Sequence, residues 1–441
     1  MHTRRLLALG AVAIVNWGFW PADSKGASER ENESLVAPHA SLDETEPRGT
    51  SDERQGASRG RSELSGYVLV EGRLFFHDPL YPDQEDNNGS LAAQPEYYHE
   101  WDDGSAFTFT PFGRLDSADS RRSHWDIREL SYLYPGEFWF FRLGVGRVFW
   151  GATEFVHLVD VVNQTDLVEH IDTEDKLGQP MVEFSMTRDW GTLDVLFLPY
   201  FRERTFPGKE GRLRPAVVID TDDAIFENPS EQRAIDLVTR YSRTFGSLDF
   251  GVYLFRGTNR EPLLVPSEFL DPNDTGEPRL IPFYEKTTQA GADVQWATGN
   301  WLWKLEVLYR SGYLDPYFAT VGGFEYTFFG FAGSKADVGF LAEYAWDERG
   351  DEPETTSIFD NDIFFGMRLT PNDVAGTQLL VGFMQDVGES ESVLSIEAGR
   401  RFGSHWRLTL DAWFFLAASR DSILYDLRDD DFARLELAYY F

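Results

Sequence analysis

The sequence predicts an all-β fold: a transmembrane antiparallel β-barrel of about eighteen strands (sixteen is the alternative count), with short periplasmic turns and long extracellular loops. Three observations predict it. Segments of about ten residues alternate in polarity, and their connections alternate between tight turns and long, mostly acidic stretches. A short apolar run near the amino terminus has the form of an export signal. A soluble sandwich alternates too, so the asymmetry of the connections is what points to a barrel.

The composition narrows the class. The 441 residues include 36 Phe, 18 Tyr, 13 Trp and no Cys, with a formal net charge of −34. Without cysteine there is no disulfide framework, thiolate metal site, cysteine nucleophile or lipidated amino-terminal cysteine. Strong acidity argues against nucleic acid, which is bound through Lys and Arg. Disordered acidic chains are poor in aromatic residues, and this one is rich in them.

Arg4 and Arg5 precede an apolar run from Leu6 to Val15, the order of a secretory signal peptide. The run is shorter than the ~20 residues a spanning helix needs. Residues 1–22 are therefore expected to be the signal peptide. Residues 23–63 hold no Phe, Tyr or Trp and are expected to be a disordered periplasmic leader. The barrel is assigned to 64–441.

The expected strand segments are 65–77, 89–101, 105–116, 123–134, 137–147, 181–188, 191–202, 232–244, 247–256, 287–298, 301–311, 318–331, 336–346, 361–370, 377–386, 391–402, 405–417 and 431–441. In the last, Leu435, Leu437, Tyr439 and Phe441 share one face, while Arg434, Glu436, Ala438 and Tyr440 share the other. Tight turns are expected at Asp102-Asp103-Gly104, Pro135-Gly136, Asp189-Trp190, Phe245-Gly246, Gly299-Asn300, Gly333-Ser334, Pro371 to Gly376 and Gly403-Ser404. Long connections are expected at 148–180, 203–231, 257–286, 347–360 and 418–430. The division of 89–116 at Asp102 to Gly104 rests on this alternation alone.

The ending Leu435-x-Leu437-x-Tyr439-x-Phe441 is similar to the membrane-insertion signal of Gram-negative outer-membrane proteins. The chain from about 66 to 441 resembles the porin-like outer-membrane β-barrel family. Arg147 to Glu154, with Asn163 to Asp166 and Lys176 to Pro180, is similar to a segment of uncharacterised members. The resemblance implies the outer membrane of a Gram-negative bacterium. It implies outer-membrane lipid, lipopolysaccharide, the barrel-assembly machinery and small polar solutes as partners, and admits a homotrimer. The expected function is a porin-like channel for passive or weakly selective diffusion. The alternatives are an occluded barrel acting as a surface receptor or adhesin through acidic loops and, third, an outer-membrane hydrolase.

Charged side chains within strands should face the lumen, because the lipid face tolerates charge poorly. The pore-lining candidates are Arg128, Arg142, Arg240, Lys304, Glu306, Arg310, Glu343, Arg368, Arg407, Asp411, Arg434 and Glu436. They could set the field in a pore or pair with one another and hold the wall. The resemblance implies that one long loop folds into the barrel, which makes the 148–180 connection the candidate constriction loop, with Glu154, His157, Asp160, Asp166 and Glu169 placed opposite the strand arginines if it folds inward. Its middle, Ala152 to Gln164, has helical spacing. An ordinary exposed acidic loop is the other reading.

Glu154, His157, Asp160 and His170 have ligand chemistry but complete no metal motif, so no metal and no cofactor are expected. The G-x-S-x-G, H-E-x-x-H and phosphate-loop patterns are missing from the sequence, and no enzyme is expected. Trp139, Trp150, Trp190, Trp296, Trp301, Trp406 and Trp413, with Tyr439, Tyr440 and Phe441, are expected in interfacial girdles.

Overall fold

The computed structural model describes residues 60–271, 276–350, 360–388, 391–416 and 423–441. Its wall opens with β1 (Arg61–Phe75), β2 (Asn87–Glu100), β3 (Ala106–Asp116), β4 (Trp125–Pro135), β5 (Trp139–Gly146), β6 (Gln179–Arg188) and β7 (Gly191–Leu198). A two-residue loop strand, β8 (Ile225–Phe226), precedes β9 (Asp236–Phe245) and β10 (Leu248–Thr258). Two more loop strands, β11 (Leu263–Pro266) and β12 (Leu280–Tyr284), lead into β13 (Lys286–Thr298), β14 (Trp301–Ser311), β15 (Tyr317–Phe328) and β16 (Asp337–Asp347). The ring ends with β17 (Asn361–Thr370), β18 (Gln378–Asp386), β19 (Ser392–Phe402), β20 (Trp406–Phe415) and β21 (Phe432–Tyr440).

Eighteen of these strands form one sheet, and it closes. The last strand pairs antiparallel with the first, from Tyr67 opposite Tyr440 to Phe75 opposite Phe432. Closure satisfies the backbone groups that an open edge would leave bare, the condition for crossing a bilayer with strands. The count is eighteen, because the chain does turn at Asp102 to Gly104. Gly104 takes a φ of 77° there, and the Asp103 carboxylate accepts from the Ser105 amide at 3.0 Å. β1 begins at Arg61, inside the expected leader. Residues 1–59, with the expected signal peptide and most of the leader, lie outside the described residues.

The barrel is inside out relative to a soluble protein. On β14, Trp301, Trp303, Leu305, Val307 and Tyr309 point outward and are exposed, while Lys304, Glu306, Leu308 and Arg310 point inward and are buried. On β21, Leu435, Leu437 and Tyr439, three of the four insertion-signal residues, face outward with Phe441 exposed beside them. Such an exterior is stable against hydrocarbon and not against water.

Near the short turns Trp190, Trp296, Trp301, Trp406, Tyr439 and Phe441 form an exposed aromatic band, as the headgroup level favours. Three expected girdle residues lie elsewhere. Trp413 is fully buried on the inner face, its Nε1 donating to Asp411 at 2.7 Å. Trp150 belongs to an inward loop and packs on Tyr253. Tyr440 sits on the inner face against Tyr67, ring centroids 5.7 Å apart.

The connections alternate less strictly than the sequence suggests. On the long side, 312–316 and 387–391 are brief; on the short side, 329–336 and 371–377 are longer. Two long loops, 199–235 and 259–285, meet in a small sheet separate from the ring. β12 pairs antiparallel with β11 and parallel with β8, joining 259–285 to 199–235. Phe201 and Phe226 pack on Tyr284 beneath this small sheet, with ring centroids 4.9 and 5.2 Å away.

Candidate functional site: a loop across the lumen

The loop 147–178 leaves β5 and enters the barrel. Asn163 ties its two ends together: its Nδ2 donates to the carbonyls of Gly146 and Leu177 at 3.0 and 2.8 Å, and its Oδ1 accepts from the Val148 amide at 2.8 Å. The apolar residues Phe155, Val159 and Val162 are fully buried in the lumen. Burying them requires partners for the peptide groups alongside, and the wall supplies those partners as carboxylates.

Glu306 on β14 accepts from the amides of Ala152 (2.7 Å), Thr153 (3.0 Å) and Val159 (3.2 Å) and from the Thr153 hydroxyl (2.7 Å). Glu343 on β16 accepts from the amides of Glu154 and Phe155 at 2.9 and 2.8 Å. The loop answers with Glu154, which accepts from Lys304 at 2.8 Å and also pairs with Arg368. Burial alone would raise the Glu154 carboxyl, but those two cations hold it down at about 2. The helical spacing of Ala152 to Gln164 therefore yields no helix. Its amides are spent on wall carboxylates instead of on carbonyls four residues back.

The other half of the loop is fixed to the far wall. Asp166 accepts from Arg128 on β4 at 2.7 Å and from the Thr205 hydroxyl at 2.7 Å. Glu169 pairs with Arg114 on β3 at 2.7 Å. In the ring β4 is the fourth strand and β16 the thirteenth, so the loop is anchored at opposite ends of a diameter. A second loop, 199–235, enters beside it: Phe206 and Leu213 are buried, and Arg212 pairs with Asp430 at 2.6 Å.

Together these loops fill the outer half of the lumen. Every wall strand contributes at least one buried inward residue, from Glu71 on β1 through Leu196 on β7 and Gln289 on β13 to Phe432 on β21. Nearer the short turns the inward residues, among them Glu63, Glu96, Thr108 and Glu325, are half-buried. The lumen is a cup open on the short-turn side.

All twelve pore-lining candidates lie on the inner face. Several face the loop: Arg128, Lys304, Glu306, Glu343, Arg368 and Asp411. Others pair within the wall or with a neighbouring loop, as Arg142 does with Glu183 (2.6 Å), Arg240 with Asp293 (2.7 Å), Arg434 with Asp411 (3.0 Å) and Arg310 with Glu261 (2.7 Å). Arg407 and Glu436 lie toward the open side. Of the constriction candidates, His157 comes to 3.6 Å of Glu306 and Asp160 pairs with Lys176 at 3.0 Å. Acid and base thus meet in direct pairs, and no open gap separates an acidic row from a basic one.

The densest knot of charge lies on β1 and its neighbours. Glu71, buried on β1, lies 3.4 Å from Arg73, 3.0 Å from Arg114 and 2.9 Å from Arg122. The strand rule that selected the other candidates also marks Glu71 and Arg114. Arg122 lies in a connection, where that rule does not apply.

Two loop histidines make the anchorage pH-dependent. His170 bridges Asp172 (2.8 Å) and Asp411 (2.7 Å). Burial and Arg434 oppose its proton, yet the two carboxylates outweigh them and raise its pKa. His124 is likewise raised: burial works against it, and the Asp166 hydrogen bond prevails. A raised histidine stabilises the seated loop fully below its unfolded value of about 6.5, and that contribution is lost as pH climbs through the folded value. Protease sensitivity of 147–178 should therefore increase as pH rises above about 6.5, and the paired changes His124→Gln and His170→Gln should flatten that rise.

No family model matches the chain, and no curated protein matches it. Solved structures similar to it include OccK11 (OpdR) of Pseudomonas aeruginosa, 11% identical, covering 87% of this chain and 96% of that one, with a TM-score of 0.49. Another is OmpF of Salmonella typhi in complex with daunomycin, 11% identical, covering 87% and 98%, TM-score 0.44. A third is the outer-membrane protein OmpT of Vibrio cholerae in a trimer form, 11% identical, covering 87% and 99%, TM-score 0.41. The fold assignment rests on the strand pairing of the chain itself, which is that of a closed eighteen-stranded antiparallel barrel.

Proposed function

We propose that this chain is a porin-type outer-membrane barrel that passes small polar solutes by a narrow, loop-gated route rather than by open diffusion. The observation that carries the proposal is the 147–178 loop, anchored across a diameter of a closed, lipid-compatible ring. A barrel of 16–18 strands with bare walls leaves an aqueous channel; here wall carboxylates and arginines are spent on holding a loop in that space. Outer-membrane lipid, lipopolysaccharide and the barrel-assembly machinery are its partners under this proposal, with a homotrimer as one assembly form.

Refolded protein in planar bilayers should give small, infrequent conductance steps. Steady steps of the size of an unobstructed pore would overturn the gated reading. The filled outer lumen also favours a second reading, an occluded barrel that acts as a surface receptor through its outer loops. That reading gains if no steps arise even when the loop is released. A hydrolytic role is disfavoured by the placement of His157 and His170, which are engaged with wall carboxylates of the loop's anchorage.

A further inference from the structure

We propose that Asp360, Asp362 and Asp386 form a Ca²⁺ site at the outer end of β17 and β18. One oxygen from each of the three carboxylates lies within 4.8 Å of the others. Oxygens bound to one Ca²⁺ at about 2.3–2.6 Å stand no more than about 5 Å apart, so the trio can close on a single ion.

The register creates the cluster. Asp362 and Asp386 are directly opposite each other across the β17–β18 ladder. Both share the inward face with Phe364 and Met384, and Asp360 precedes Asp362 by two residues, its carboxylate close to theirs. Like charges placed directly opposite in a sheet repel. Asp362 is 1% exposed, and its Oδ2 has no hydrogen-bond partner. None of the ion pairs among the described residues involves Asp362. Its other contacts are backbone hydrogen bonds at Asp360 and Asn361, so this buried acid, facing a second acid and flanked by a third, has an unpartnered oxygen and no counter-charge. Glu71, Glu154 and Asp166, by contrast, each meet at least one basic side chain.

Hard oxygen ligands contributed by two strands and a connection suit Ca²⁺, which accepts six to eight oxygens in adaptable geometry. Mg²⁺ demands a stricter octahedron and retains more of its water. Backbone carbonyls and solvent would complete the shell. The bound ion would pin the entry of β17 to the exit of β18. The site does not depend on whether the barrel conducts.

The test is Ca²⁺ titration of detergent-refolded full-length protein, by calorimetry and by thermal unfolding with and without chelator. A saturable single site is expected, with a dissociation constant in the range of extracellular modules, about 10⁻⁴–10⁻³ M, and Mg²⁺ at least tenfold weaker. Ca²⁺ should raise the Tm. Asp362→Asn should weaken Ca²⁺ at least tenfold and, by removing the repulsion, should raise the Tm in chelator above that of the unmodified protein. Asp386→Asn should behave in the same way. Unchanged Ca²⁺ affinity in both variants, no saturable site, or diffuse binding with Ca²⁺ and Mg²⁺ equivalent would each overturn the proposal.

Discussion

Replacing Glu306 and Glu343 together by alanine is expected to release residues 152–160 from the wall and to raise single-channel conductance several-fold. The pair accepts from five loop amides, those of Ala152, Thr153, Val159, Glu154 and Phe155. At about 1–3 kcal/mol for each buried amide left unpaired, the combined cost exceeds what the loop's apolar contacts offset in place. Fully burying a side chain such as Phe155 or Val159 contributes only about 1.5–3 kcal/mol. The ladder bonds of β14 and β16 do not involve these side chains, so the barrel itself should keep its resistance to heat. Two measurements on the same preparation separate the cases: bilayer conductance and protease cleavage within 152–160. Cleavage without added conductance would mean that the 199–235 loop suffices to block the lumen.

Glu71→Ala should cost more stability than any other single change in the wall, about 3–5 kcal/mol. It removes one carboxylate from among Arg73, Arg114 and Arg122, all buried. Each arginine keeps some other partner: Arg114 retains Glu169, Arg122 retains Asp116, and Arg73 donates to the Glu169 carbonyl at 2.5 Å. Three cations would nonetheless share too little negative charge in a site that water does not reach. The comparison is Arg61→Ala. Its pair with Glu63 sits at the open rim, with the Arg61 side chain 74% exposed, and should change stability by less than about 1 kcal/mol. Urea unfolding in detergent or lipid measures both. Equal effects would refute the view that burial, rather than pairing as such, sets the energetic weight of these contacts.

All eighteen wall segments were legible in the sequence, each within four residues at either end. The reason is physical. A one-residue slip would carry Lys304 and Glu306 into lipid and Leu305 and Val307 into the lumen, so a barrel wall cannot blur its alternation. The same rule would have placed Trp413 inside, since it shares parity with Asp411. For that residue parity is a better guide than proximity to a strand end. The inward fold of the loop was expected from resemblance, whereas its shape was not: spacing alone does not disclose that its amides are claimed by Glu306 and Glu343, some 150 and 190 residues away. The Asp362–Asp386 confrontation needs the exact pairing of β17 with β18, which periodicity leaves open.

The little sheet that joins β8, β11 and β12 has an implication for how this surface can diverge. Two loops that lean on each other through Tyr284 and a shared ladder form one folding unit separate from the ring. An insertion in the first strips hydrogen bonds from the second. Sequence change on that patch would therefore meet resistance when piecemeal, and tolerated variants should arrive as matched alterations in both loops or be confined to the residues that project away from their common ladder.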